Sequence, residues 1–80
     1  MHTAITFAGI DRATRSHAIC VIDDHGSVLE HYEVEHSGAG LASLVRDLTS
    51  RQVSAVAIER PDGPVVDALL GAGLPVKREA

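Results

Sequence analysis

Aromatic residues are almost missing from this 80-residue chain: it has no tryptophan, and Phe7 and Tyr32 are the full complement. The core must therefore be aliphatic, and with 45% hydrophobic residues the chain has enough of that material to fold. A single cysteine, Cys20, excludes a disulfide framework and the paired-cysteine spacing of a zinc site. Cationic residues are scarce as well, seven Lys and Arg against eleven Asp and Glu, for a net charge of -4. Domains that bind nucleic acid through charge alone carry a basic face, so contact with such a partner would have to be local or metal-assisted. No apolar run is long enough to span a bilayer, and no signal peptide is expected before the first apolar run. The expected location is cytoplasmic, with no membrane partner.

The chain does have two apolar runs that each end on a carboxylate. Ile5 to Ile10 leads into Asp11, and Val53 to Ile58 leads into Glu59. A buried strand that ends in an acid presents it at the rim of the sheet. Two such acids on neighbouring strands make half of a divalent-cation site.

The order of elements follows from changes in period. Residues 3–10 and 17–22 read as two strands, separated by the polar stretch Asp11 to Ser16. Asp23-Asp24-His25-Gly26 has turn chemistry, and residues 27–35 mix apolar and charged side chains as a strand near the sheet edge does. Leu41, Leu44, Val45 and Leu48 then fall at helical spacing, with Ser37 as the cap and an end near Arg51. A fourth strand, Ser54 to Ile58, alternates little and is expected to be buried on both faces. Asp62-Gly63-Pro64 opens a second helix with Val66, Leu69 and Leu70 inward and Gly71 or Gly73 as its stop. Leu74 to Val76 begins a fifth strand that Lys77, Arg78, Glu79 and Ala80 cut short.

The expected fold is α/β with a mixed sheet in the order β-β-β-α-β-α-β. A helical crossover makes the fourth strand parallel to the first and places it beside the first, so Asp11 and Glu59 come together at their C-terminal ends. That is the ribonuclease H-like arrangement, in which carboxylates hold Mg²⁺ for phosphodiester cleavage. The remaining polar residues have plainer readings. Asp62 is expected as a helix cap, and Asp23 and Asp24 as solvated turn residues at the far end of the sheet. His17 is expected at the surface or a strand end, and Cys20 in the core. Arg12, Arg15 and Arg60 either touch phosphate or neutralise two carboxylates that would otherwise repel.

The segments AGIDRATRSHAICVIDDHGSVL, SGAGLASLVRDL and VAIERPDGPVVDALLGAGLPV resemble, in order and spacing, the amino-terminal part of IS110-type transposases, which opens a RuvC-like DEDD domain. The resemblance runs from about residue 5 to Val76. It implies that Asp11 and Glu59 match the family's first catalytic aspartate and its glutamate. It further implies Mg²⁺- or Mn²⁺-dependent DNA strand cleavage and transfer, with DNA and a guide RNA as partners. The family's last two aspartates and its serine-bearing domain lie downstream of the fifth strand. Residues 1–80 therefore read as a single partial RuvC-like domain, truncated after that strand, holding metal weakly and inactive alone. Two helices over a five-stranded sheet leave apolar surface open, and the short fifth strand leaves unpaired backbone at an edge; a homodimer through the edge strand or the uncovered sheet face is the expected remedy. Two other readings of the same residues are the amino terminus of an actin-like kinase, whose phosphate loop would want the glycine that Arg12 to Ser16 lacks, and a non-catalytic dimerisation module.

Overall fold

Alternation decides which face each strand buries. In the computed structural model, which describes residues 5–59 and 63–78, β1 (Thr6–Arg12), β2 (Ser16–Asp23) and β3 (Val28–Glu35) form an antiparallel meander. Helix α1 (Gly38–Arg51) crosses over to β4 (Ala55–Ile58), and α2 (Pro64–Gly71) to β5 (Val76–Arg78). The sheet order is β3-β2-β1-β4-β5, with β4 parallel to both β1 and β5. This is the expected mixed α/β sheet.

The core sits on one face of the sheet. Ala8 and Ile10, Ile19 and Val21, Val34, and Val56 and Ile58 pack with Leu41, Leu44 and Leu48 of α1 and Val65, Val66 and Leu69 of α2 in a single core. Ile19, Leu44, Leu48, Ile58 and Leu69 are fully buried, and each such side chain is worth roughly 2 kcal/mol of transfer free energy. Both helices thus lie on one side of the sheet. The alternate residues Phe7, Ala18, Cys20, Ile22, Ala55 and Ala57 are only half-buried, because no described element covers their face.

That one-sided layering corrects three expectations. Strand β4 is buried on one face, not two. Cys20 lies on the open face rather than in the core, in phase with Ala18 and Ile22 and out of phase with Ile19 and Val21. Leu70 points outward at 56% exposure, and Val65 takes the inward position instead. The fifth strand is also displaced. The Leu74 N–H donates to the Leu69 carbonyl, and Gly73 turns the chain at φ 78, so Leu74 belongs to the end of α2. Pairing with β4 begins at Val76 and runs through Lys77 and Arg78.

The ends of the elements have local causes. Asp23 closes the β2–β3 turn by accepting the Ser27 and His25 N–H groups on Oδ1, both at 2.9 Å. These bonds, Ser27's above all, hold its carboxyl below the usual carboxylate range. Ser37 caps α1 by accepting the Gly40 N–H at 3.0 Å. The expected cap Asp62 and the adjoining Arg60 lie outside the described residues; Gly63 stands at the N-cap of α2, with φ 88. Tyr32 and Glu30 on β3 engage Asp47 and Arg51 on α1: the Tyr32 hydroxyl donates to Asp47, and Arg51 bridges Asp47 and Glu30. That chain of groups fastens the meander to the crossover helix.

Candidate functional site

The β1–β4 ladder couples Gly9 with Ala57 and Ile10 with Ile58. Asp11 is the next residue of β1, and Glu59 is the first residue past the end of β4. Ile10 and Ile58 face the helices, so the alternation sends both carboxylates to the open face. Adjacent strands run about 4.8 Å apart, a spacing at which one cation reaches both acids. The two acids line one concavity of about 400 Å³, with Gly9, Ala18, Cys20, His31 and Ala57. The floor is low because its residues are small: a Cβ added at Gly9 would meet nothing within 4 Å. Both acids are exposed.

The chemistry of this pair suits a hard cation. Two carboxylates supply oxygen donors, and Mg²⁺ characteristically takes one or two carboxylates and keeps several waters. Among the described residues no group of three or more His, Cys, Asp and Glu gathers around a metal position. An ion held here would therefore keep much of its water.

The arginines do not all join the acids. Arg12 follows Asp11 on β1 and so turns to the helix side, where its guanidinium lies near Gly63, with Nη1 3.4 Å from the position a Cβ would take there. It lines a second concavity, of about 350 Å³, with Ala13, Thr14, His17, His36, Pro64 and Val65. Arg15 is exposed, and its carbonyl accepts the His36 N–H at 2.8 Å. Arg60 lies outside the described residues. Asp23 pairs with Thr6 at the opposite end of β1 from Asp11, so the expected turn role holds.

The residues that sequence reasoning passed over are His17 and His36. His17, the second residue of β2, stands at a strand end, one of the two expected positions, but it is 2% exposed and not on the surface, because it falls in phase with Ile19 and Val21. That phase was readable in HAICVI. Its partner was not, since His36 stands 19 residues away. The Ala13 N–H donates to His17 Nδ1 at 3.3 Å, and His17 Nε2 lies 2.9 Å from His36 Nδ1. A ring whose Nδ1 accepts carries its proton on Nε2 when neutral, so His17 donates to His36. Burial, and then the charges of His36 and Arg12, push the His17 imidazole below its ordinary value.

A family model described as Transposase, of the DEDD IS110 type, matches residues 8–77. A protein of Sinorhizobium fredii (strain NBRC 101917 / NGR234), named as a transposase, y4uE, is 38% identical over 76 residues. The match covers 88% of this chain and 21% of that protein, so the chain spans about a fifth of the relative's length. Among solved structures, T. thermophilus RuvC in complex with a Holliday junction substrate superposes with a TM-score of 0.71 at 19% identity, over 94% of this chain and 64% of that one. The Lmo2764 protein from Listeria monocytogenes, described as an N-acetylmannosamine kinase, superposes with a TM-score of 0.58 at 18% identity, over 90% and 34%. These two likenesses establish a ribonuclease H-like fold and nothing finer.

Proposed function

The chain belongs to the family of IS110-type DEDD transposases, and on that premise we propose that it forms the Asp11–Glu59 half of a divalent-cation site acting on DNA strands in transposition. The observation that carries this reading is the placement of those two acids side by side, in one concavity, at the C-terminal ends of adjacent parallel strands. Mg²⁺ or Mn²⁺ bound there would polarise a water or hydroxyl and stabilise a leaving oxygen of a phosphodiester. The protein's own contribution is placement. Asp11 and Glu59 hold two of the ion's positions, and Gly9, Ala18 and Ala57 leave the floor low enough for a sugar-phosphate backbone to approach. Two carboxylates hold the ion weakly.

In this reading residues 1–80 are one partial RuvC-like domain that works in the cytoplasm. Its DNA partner and the guide RNA belong to the intact family architecture, and the chain by itself does not cleave. Arg12, Arg15 and Arg60 are candidate phosphate contacts in this reading, Arg12 from the helix side of β1. A second reading, a non-catalytic module that dimerises, draws support from the half-buried open face that includes Phe7, Cys20 and Ile22.

Two-dimensional NMR with Mn²⁺ tests the metal site. Gly9, Asp11, Ala57 and Glu59 should broaden first, and Asp11→Asn should abolish that pattern. Broadening centred on Asp23 and Asp24, or unchanged by Asp11→Asn, would place the site elsewhere. Any DNA cleavage by this chain alone would contradict the reading that it does not cleave by itself, and cleavage that survives Glu59→Gln would put the activity outside the Asp11–Glu59 pair.

A further inference from the structure

Strand pairing lines up the open face of the sheet in rows that run across the strands. One row is His31 on β3, Cys20 on β2, Gly9 on β1, Ala57 on β4 and Lys77 on β5, each the register partner of the next. Four strand spacings of about 4.8 Å make it about 19 Å long. Its middle is low, because Gly9 and Ala57 carry little side chain, and its two ends, His31 and Lys77, are exposed. On one side of it lies an acidic row, Glu33, Ala18 and Asp11, with Glu59 beyond Asp11. On the other side lies an apolar row of Val28, Ile22, Phe7 and Ala55. We propose that the His31–Lys77 row is the track of an unpaired DNA strand, which crosses the sheet with its phosphates in the trough and its bases over Phe7 and Ile22. The inference rests on the DNA reading above and adds to it the form of the substrate, its path and two contacts.

The banding matches the two sides of such a strand. Sites for unpaired nucleic acid combine cationic groups that follow the backbone with aromatic faces on which bases stack. Lys77 supplies a cation at one end of the row, and His31 supplies a ring N–H donor at the other, whichever its tautomer. Phe7 is one of the chain's two aromatics, and it is half-buried on this face beside Ile22. A duplex keeps its base faces stacked on one another, so the apolar row has nothing to offer it. An unpaired strand uses both rows at once.

The acidic row decides which phosphate matters. Asp11 and Glu59 adjoin the middle of the track, each two residues on from Gly9 and Ala57, the couple at its lowest point. The phosphate that passes over β1 and β4 is therefore the one an ion held by the acid pair would meet, and Lys77 and His31 hold the strand on either side of it. Without the ion the acids repel the backbone, so a divalent cation should tighten strand binding. Glu33 follows His31 by two residues on β3 and borders that end of the track, which leaves Lys77 the stronger contact.

A short single-stranded oligothymidylate is the probe, followed through the amide shifts of this chain in Mg²⁺ and in a chelator. Saturable shifts along His31, Cys20, Gly9, Ala57 and Lys77, and at Phe7, are expected, with tighter binding in Mg²⁺. Lys77→Gln, at an exposed position, should fold, weaken binding severalfold and reduce the slope of log affinity against log salt by about 0.7, the share of one phosphate contact on a single strand. His31→Ala, also exposed, should weaken binding by a smaller factor. Phe7→Leu, which stays apolar, should cost at least about fivefold, the lower end of a base–aromatic stack. Mn²⁺ broadening at Asp11 and Glu59 is read without the oligonucleotide, so the ion site and the track fail separately: broadening there with no strand shifts along the row overturns the track alone, and strand shifts along the row without broadening support the track and sink the ion site. An unchanged salt slope in Lys77→Gln, or equal affinity for the dT·dA duplex of the same length, would overturn the proposal. Row shifts that grow with protein concentration and not with oligonucleotide would overturn it too, by assigning the face to a second copy of the chain.

Discussion

Asp11 stands beside Glu59, one step beyond the Ile10–Ile58 couple that closes the β1–β4 ladder. Two like charges on adjacent strand ends repel, and opposed like charges in a sheet cost some tenths of a kcal/mol. In a chelator, Asp11→Asn should therefore melt at the wild-type temperature or slightly above it. In millimolar Mg²⁺ the wild type should gain stability that the variant does not. Thermal unfolding in both solutions checks this, and a marked loss of stability in the metal-free variant would mark Asp11 as a structural residue.

Gly40 approaches the backbone of Glu35 so closely that an added Cβ would fall 2.0 Å from the Glu35 carbonyl oxygen. Gly40→Ala must move α1 relative to the end of β3, at a cost of about 1–3 kcal/mol, which lowers the melting temperature by at least about 4 °C for a domain of this size. Gly71 is the internal control. It ends α2 with open space around an added Cβ, so Gly71→Ala should be neutral or stabilising by up to about 1 kcal/mol.

The Tyr32 hydroxyl, half-buried and donating to Asp47, resists ionisation: burial, and then the Asp47 hydrogen bond and charge, push its pKa well above the usual phenol value. With the folded pKa raised above the unfolded one, the contribution to stability is complete below about pH 10 and is lost as pH rises beyond it. Tyrosinate absorbance should appear together with unfolding in alkaline titration, not before it. Tyr32→Phe should remove the alkaline loss of stability and cost about 1 kcal/mol at neutral pH.

Self-association should follow the open sheet face. Phe7, Cys20 and Ile22 lie there half-buried, and a two-fold dimer is the commonest way to cover such a surface. Sedimentation at high micromolar concentration should report a dimer, and Cys20→Arg should shift it to monomer without loss of the fold. A monomeric wild type with a cooperative melt would show that the single helical layer suffices.

Sequence carried the strand order and the acid pair because both depend on local parity. The runs into Asp11 and Glu59 end in the same phase, and the Leu41–Leu48 spacing fixes α1 and its Ser37 cap without reference to anything distant. What it did not carry was sidedness. The half-burial of Cys20 and of the alternate face of β4 depends on both helices choosing one side of the sheet, and period alone does not record that choice. Leu70 was lost in the same way, since a short, mostly apolar helix offers Val65, Val66, Leu69 and Leu70 as equal candidates. The start of β5 depends on the Leu74 bond to Leu69, and the His17–His36 contact on strand pairing across 19 residues, both tertiary facts.

Strand β3 forms one border of the sheet and carries Glu30, Glu33 and Glu35, with a bulge where the β2–β3 register shifts between Val21 and Ile22. A second β3 laid antiparallel along that border would bring carboxylate against carboxylate and meet a backbone bent out of step with a regular ladder. Lateral growth into fibrils is thereby discouraged on this side. The acidity that denies the chain a basic face also insulates its longest unpaired edge, so it can stay dispersed at concentrations where an apolar border would recruit its neighbours.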